Sequence, residues 1–494
     1  MAAVHLVLAV CLSLPPLLFF GFVWLRPTRR TIGEIGSISA TSVQIVVLGD
    51  IGHSPRMQYH AQSVAKHGGR VTIIGYQVSP PNPDLLSDPL VTIVPLPPPP
   101  VLLQTNNAVL FPLLSILKVI QQIWSLWMAL AYSSDPAEWM IIQVCLSFPV
   151  LQSFICLSII VAPCLFKKLR FSAPFVPQNP PAIPTLLLAL LTCWLRNSRL
   201  IIDWHNFGFS ILALKLGQSH PMVWLMKWYE MTLSRMAFAH FCVSNAMASI
   251  LRAKMNIGST VLVLHDRPAS LFQPITNQKQ RFEFLTSLPE TREFAHHALS
   301  GKSSELLVSS TSWTPDEDFS LLLQALCQYS TYATTTNTSL PELHVIITGK
   351  GPQQRMYLQI VESLIETGKL KKVSITCAWL TIENYARLLA CSSLGVCLHT
   401  SSSGVDLPMK VVDMFGAGLP VVGWNKYEAW AELVTEGVDG RGFSSAEELS
   451  KQLIDLFGQD RSDLESLRHG ARNASRRRWG DEWDSVAGKL LRLV

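Results

Sequence analysis

The stretch from Ser401 to Pro420, SSSGVDLPMKVVDMFGAGLP, gathers residue types that suit a diphosphate. A hydroxyl- and glycine-rich turn precedes an expected helix carrying Lys410 and Asp413. That helix should end at Gly416 and Gly418, before a buried strand over Leu419–Gly423. A helix N-terminus presents unpaired N–H groups and the positive end of its dipole to an anion. Ser402, Ser403 and Gly404 would add donors, and Lys410, one turn inside, a full positive charge. Asp413 follows Lys410 by three residues, so it shares the same helical face, within reach of ribose or sugar hydroxyls. This is the chemistry of a nucleotide-sugar site, although an ordinary β-turn-α unit with a solvated helix face has the same outline.

Two other loops of the same half follow expected strands. Ser309 to Thr314 offers the Ser310 hydroxyl. In Gly349-Lys350-Gly351-Pro352 the glycines let backbone approach phosphate closely and Lys350 can neutralise it. A plain turn is the alternative for Gly349, Lys350 and Gly351 taken alone. Asp316, Glu317 and Asp318 resemble a metal-binding run, but successive carboxylates at a helix start complement its dipole. No metal and no cofactor are expected.

The elements that must position these residues read as α/β. Ser42–Gly49 is a short apolar run like an interior parallel strand, Asp50–Arg56 a turn, Met57–His67 a helix and Val71–Tyr76 a second strand. This β-loop-α-β pattern opens a doubly wound sheet. The rhythm returns with strands at Glu305–Ser309 and His344–Thr348, a helix from Asp318, and a strand at Leu394–Leu398. We expect an anchor and flank over 1–40, a first Rossmann-like domain over 41–275 and a linker over 276–303. A second Rossmann-like domain over 304–472 and a C-terminal helix over 473–494 complete the chain, the two domains facing a cleft. The last segment reads equally as a helix crossing back to the first domain or as a surface helix near anionic lipid.

At 494 residues the chain exceeds one hydrophobic core. A formal charge of +5 is too mild to argue for nucleic acid. Mean hydropathy of +0.28 and only 15% charged residues point to a membrane-attached protein. Ala3–Leu25 carries no formal charge and exceeds the ~20 apolar residues that span a bilayer. Arg26, Arg29 and Arg30 follow it, which places the body in the cytosol. The run lacks the basic n-region and small-x-small site of a cleaved signal, so a single-pass anchor is expected. Ala108–Tyr132 contains Lys118, Gln121 and Gln122 and reads as an interfacial helix. Ten cysteines without a C-x-x-C pair look like reduced, buried thiols, neither a zinc site nor a disulfide framework.

Three longer motifs make the chain recognisable. They are Gly49-Asp50-Ile51-Gly52-His53-Ser54-Pro55-Arg56-Met57-Gln58-Tyr59-His60, Asp203-Trp204-His205-Asn206-Phe207-Gly208 and Ser309-Ser310-Thr311-Ser312-Trp313-Thr314. With Gly349–Pro352, Trp379-Leu380 and Ser401–Pro420 in order, the chain resembles the chitobiosyldiphosphodolichol β-mannosyltransferases from about Ile45 to its C-terminus. The resemblance implies a GT-B fold, GDP-mannose as donor, dolichol-linked chitobiose diphosphate as acceptor, and an inverting β-1,4 transfer. It also implies the cytosolic face of the endoplasmic reticulum membrane and a complex with other dolichol-pathway mannosyltransferases. The competing readings are another GT-B enzyme of that pathway and an inactive GT-B-like scaffold subunit.

Inverting transfer needs a base for the acceptor hydroxyl and electrostatic help for departing GDP. Asp203 and His205, after the strand Leu200–Ile202, compete for the base with Asp50 and His53 on the first β-α loop. Arg56 suits an acceptor phosphate, with a surface arginine as the alternative, and Asn206 is placed on the acceptor side. Asp406 and Asp413 are seven residues apart, one short of the acid spacing frequent in enzymes of this design. One departure stands out: in the family the strand ending at Gln143 runs almost directly into an Asn-Pro-Pro turn, here Asn179-Pro180-Pro181. The intervening residues 144–178 exceed ordinary loop lengths and begin and end on residues whose codons can carry intron-bounding GT and AG. They read as translated intron, with an inserted membrane contact as the alternative.

Overall fold

The computed structural model describes residues 28, 41–98, 111–144, 182–299, 303–314, 317–401 and 403–494. The expected anchor over Ala3–Leu25, nearly all of the segment 144–178, Asp316 and Ser402 lie outside them. Among the described residues, no helix is long and apolar enough to cross a membrane.

Among the described residues, thirteen strands form two sheets. The first holds β1 (Ser42–Asp50), β2 (Arg70–Tyr76), β3 (Val91–Pro95), β4 (Trp139–Val144), β5 (Arg199–Trp204), β6 (Ala239–Cys242) and β7 (Thr260–Val263), in the order β3-β2-β1-β4-β5-β6-β7. The second holds β8 (Ser304–Ser310), β9 (Glu342–Thr348), β10 (Val373–Ala378), β11 (Leu394–Cys397), β12 (Val421–Trp424) and β13 (Gly440–Phe443), in the order β10-β9-β8-β11-β12-β13. All neighbouring pairs of the second sheet are parallel, as are β3-β2-β1-β4-β5 of the first. Both sheets therefore reverse their winding beside their first strand, between β1 and β4 and between β8 and β11. Doubly wound sheets bind ligands outside the carboxyl ends of their strands at that reversal.

Sequence explains why these strands are interior. Val43, Ile45, Val46 and Val47 of β1, Trp139–Ile142 of β4 and Leu200–Ile202 of β5 are all buried. Helices cover both faces, so the strands need no polar side. In β8, Leu307 enters one core with Phe319, Leu322 and Leu449, whereas Leu306 and Val308 enter the other with Val411 and Met414. That alternation is the two-residue period of a strand. Helix starts are equally legible. Pro55 opens the Pro55–Lys66 helix and Asp318 caps Phe319–Thr335 by accepting from the Ser320 amide.

The chain divides into two compact units, one reaching Phe241 and including Asn256–Val261 and Gly488–Val494, the other of Cys242–Met255 and Leu262–Ala487. Two expectations change accordingly. Of the expected linker over 276–303, the described part up to Leu299 is folded, because the helices Gln278–Ser287 and Arg292–Leu299 bury Phe284, Leu285, Leu288, Phe294 and Ala295 in the second unit's core. Their polar average had hidden a sparse apolar stripe. Residues 473–494 are also not one helix: Ser462–Ala474 ends there, followed by Trp479–Trp483, a π-helical segment at Asp484–Gly488 and Lys489–Leu491. Trp483, Ala487 and Leu491 are buried in protein, and Gly488–Val494 groups with the first unit.

Candidate active site

In the second unit the loops after β8, β9 and β11 hold most of the expected donor residues. The Met409–Gly416 helix starts at Pro408, with no side-chain cap on its first amides. Lys410 projects from its first turn and ion-pairs with Glu317, whose side chain is only 2% exposed. Glu317 also accepts from the Thr311 hydroxyl at 2.5 Å and the Ser312 amide at 2.8 Å. A buried carboxylate thus ties the loop after β8 to the first turn of the helix that follows β11. Glu317, weighed in the sequence only as part of a carboxylate run, is an organiser of this site.

Asp406 gathers the turn before that helix. It accepts from the hydroxyls of Ser401 and Ser403 and lies 2.9 Å from His399 Nε2. Burial pushes its carboxyl up, but the hydrogen bonds and charge of His399, with the two serines, outweigh this and hold it at about 2. Ser403 therefore spends its hydroxyl on Asp406. Gly404 has a φ of 77°, and its carbonyl accepts from the Glu428 amide at 2.9 Å. Near His399, the Tyr427 hydroxyl is sealed from solvent and has no hydrogen-bond partner in the structure. His399 and Tyr427 were missed in the sequence. Only the position of His399, just past a strand, could have signalled it.

The glycine loop after β9 also meets a packing need that its sequence did not announce. A Cβ on Gly349 would lie 1.8 Å from the Thr311 carbonyl oxygen, and one on Gly351 equally close to that of Ser312. Both glycines are required because the β8 and β9 loops touch backbone to backbone, with the Trp313 indole N–H donating to the Gly349 carbonyl at 3.2 Å. Lys350 extends over the exposed Trp379 ring, 4.6 Å from its centroid. The Ser310 hydroxyl bonds Tyr385 Oη at 2.9 Å.

Asp413 sits on the same helix as Lys410. Burial, reinforced by the neighbouring carboxyl of Asp266, pushes it up to about 8. The folded state then keeps a proton that an unfolded carboxyl, with its ordinary value of 3.8, would release. This contribution to stability is full at acid pH and is lost as pH rises through the folded value. Asp413→Asn should therefore flatten the fall in melting temperature between pH 5 and 8, about the span of the shift. Thermal denaturation at the two pH values checks it, and an unchanged slope would refute it.

In the first unit the β1 end forms a compact dyad. Asp50 accepts from the amides of Val78 and Ser79 at 3.0 and 3.1 Å, and its Oδ2 lies 2.6 Å from His53 Nδ1. Burial raises its carboxyl, yet the Ser79 and His53 hydrogen bonds prevail and its pKa is lowered. The His53 side chain is 76% exposed, so Asp50 orients an imidazole that solvent reaches.

Asp203 and Arg56 lie elsewhere than expected. Arg56 Nε and Nη2 grip the two Asp203 oxygens at 2.8 and 2.9 Å, and both side chains are buried. His60 Nε2 adds a contact at 3.2 Å. Burial would raise the Asp203 carboxyl, but the Arg56 charge and the histidine contacts hold it well below the usual carboxylate range. A buried carboxylate committed to arginine is a poor base, and a guanidinium committed to that carboxylate is not presented to an acceptor phosphate. Both assignments are corrected on this geometry. His205 is partly exposed, with Nε2 3.6 Å from Asp203. Asn206 accepts from the Phe207 amide at 2.9 Å and the Ser210 hydroxyl at 3.2 Å, bracing the start of the Gly208–Leu216 helix. Beneath that start, buried Glu230 accepts from the Phe209 amide at 3.4 Å, and burial pushes its carboxyl up to about 8.

Comparison with known proteins places the chain among glycosyltransferases. The family model Glycosyl transferases group 1 matches residues 305–459, which span the loops around Glu317 and Lys410. The chain is 52% identical to the chitobiosyldiphosphodolichol beta-mannosyltransferase of Arthroderma benhamiae, covering 99% of this chain and 98% of the relative. It is 36% identical to the Homo sapiens protein of the same name, with 98% of each covered. Among solved structures, a sucrose-phosphate synthase from Thermosynechococcus elongatus superposes with a TM-score of 0.59 at 13% identity, over 92% of this chain and 98% of that one. At that identity the superposition speaks for the GT-B-like fold alone.

Proposed function

This chain belongs to the chitobiosyldiphosphodolichol beta-mannosyltransferase family, and from that premise we propose that it adds the first mannose to a dolichol-linked chitobiose diphosphate. The observation that carries the reading is 52% identity along essentially the full length of a relative of that name. GDP-mannose is the proposed donor. Its diphosphate is assigned to Lys410 and the first amides of the Met409–Gly416 helix, supported by their position at the β8/β11 reversal. Asp413 is assigned to donor hydroxyls. Its raised pKa lets it donate as well as accept hydrogen bonds near neutral pH.

For the acceptor we assign His53 as general base, oriented by Asp50, with His205 as the competing histidine. Support comes from exposure and pairing: His53 is accessible and carries a carboxylate on Nδ1. Removal of the acceptor proton and stabilisation of departing GDP complete an inverting displacement. The deciding assay offers purified membranes GDP- or UDP-sugars with lipid-diphosphate chitobiose and scores a trisaccharide. Product from another nucleotide sugar, and none from GDP-mannose, would overturn the donor assignment.

We further propose attachment to the endoplasmic reticulum membrane through the apolar Ala3–Leu25 segment, with both units cytosolic and other mannosyltransferases of the pathway as partners. A surface feature supports the lipid contact. Leu187 and Trp194 (Ala182–Arg196), Leu214 (Gly208–Leu216) and Trp224 and Trp228 (Pro221–Ser234) are exposed, Trp194 at 73% and Trp224 at 69%, and the first two helices both pack on the third. Tryptophans of this kind favour the headgroup level of a bilayer. The double variant Trp224→Ser/Trp228→Ser should raise KM for a long-chain acceptor several-fold and leave the GDP-mannose KM unchanged. Equal KM values for long-chain acceptor in variant and parent would refute the contact.

A further inference from the structure

The fold brings together three residues whose spacing in the sequence announces nothing: His297 on the Arg292–Leu299 helix, and Glu342 and His344 on β9. One ligand-capable atom from each lies within 4.8 Å of the others. Strand alternation puts Glu342 and His344 on one face of the sheet. His297 Nδ1 is 3.7 Å from Glu342 Oε2, and the two imidazole centroids are 5.4 Å apart.

His344 supplies the second, independent observation. The residue is 9% exposed, and its Nδ1 is bonded at 2.9 Å to Ser374 Oγ on the paired strand β10. Its Nε2 is sealed from solvent with no hydrogen-bond partner. A buried polar atom left unpaired is costly and uncommon in folded proteins. With Nδ1–H donating to Ser374, the Nε2 lone pair is left for an electron-pair acceptor. On the other imidazole, His297 Nε2 faces Glu293 Oε1 at 3.9 Å, a looser contact than a hydrogen bond. Metal-bound histidines are generally oriented in this way by a group on the far ring nitrogen.

We propose that His297, Glu342 and His344 form a transition-metal site that takes zinc. Two neutral imidazoles and a carboxylate match the ligand set of that ion at about 2.0–2.2 Å, with water in the fourth position. The ligand atoms must draw together to bind it. Side-chain exposures of 24% for His297 and 41% for Glu342 leave both room to rotate toward the buried His344. The site is at the start of β9, and the glycine loop begins after Thr348 at its end, roughly 20 Å away along the strand. Its role is therefore to pin the 292–299 helix to the sheet, separate from the transfer chemistry.

The test uses the full chain in detergent, loaded with zinc and dialysed against metal-free buffer. Elemental analysis should find zinc retained in the parent and lost from His297→Gln and His344→Gln. Zinc should raise the melting temperature of the parent and of neither variant, with mannose transfer unaffected in His297→Gln. Ser374→Ala should weaken zinc binding about 10–100-fold. If the buried-site His344→Gln variant fails to fold, the variant at the partly exposed position, His297→Gln, decides. No retained zinc in the parent, or zinc retention and a melting response that survive in His297→Gln, would overturn the proposal.

Discussion

Lys410→Ala should lower kcat/KM for mannose transfer about 100- to 1,000-fold, the size seen when one donor aimed at developing negative charge is removed. As the sugar departs, charge accumulates on the nucleoside diphosphate, and a fixed ammonium beside a helix N-terminus stabilises it more than the ground state. The structure adds a complication that sequence could not supply. Lys410 is the ion-pair partner of Glu317, itself buried beneath Thr311 and Ser312. Removing the lysine leaves a buried carboxylate unpaired and destabilises the loop by itself. The double variant Lys410→Ala/Glu317→Gln separates the two effects: it should recover melting temperature without recovering transfer. Glu317→Gln alone should keep a substantial fraction of transfer, since its lysine is still charged. Wild-type turnover by a folded Lys410→Ala protein would remove the donor site from this loop.

How much of this was legible in the sequence depended on range. The run SVQIVVLG became β1 almost to the residue, because a strand with helices on both faces needs continuous apolar side chains. The helix carrying Lys410 and Asp413 was also readable, its limits being set by Pro408 ahead of it and Gly418 behind, where φ is 71°. Partners across the fold were not. Glu317 precedes Lys410 by 93 positions, and no local period links a loop after one strand to a loop after another. The glycines of the β9 loop were visible in the sequence, but only the folded backbone reveals that Thr311 and Ser312 press on them. In the 276–303 segment, Phe284 and Phe294 anchor two short helices, and composition averaged their contribution away.

The Arg56–Asp203 pair yields the second large prediction, and it concerns stability. Arg56→Ala should destabilise the protein by about 3–5 kcal/mol, because it leaves a buried carboxylate without its counter-charge. Asp203→Asn should do comparable damage from the other side, stranding a guanidinium that is only 2% exposed. An acceptor-binding arginine would behave differently: its loss would raise KM for the lipid-linked acceptor and leave the melting curve in place. Replacing both partners by apolar residues of similar volume, as in Arg56→Met/Asp203→Leu, should recover most of the loss, since such swaps remove two desolvation costs together. The pH dependence has a definite sign. Asp203 is held below its ordinary 3.8, so the pair contributes fully above that value and fails as pH falls through the folded pKa. The parent should therefore lose melting temperature on acidification below about pH 4, and the apolar double variant should lose less. A folded Arg56→Ala protein with parental stability and a raised acceptor KM would return the arginine to the acceptor.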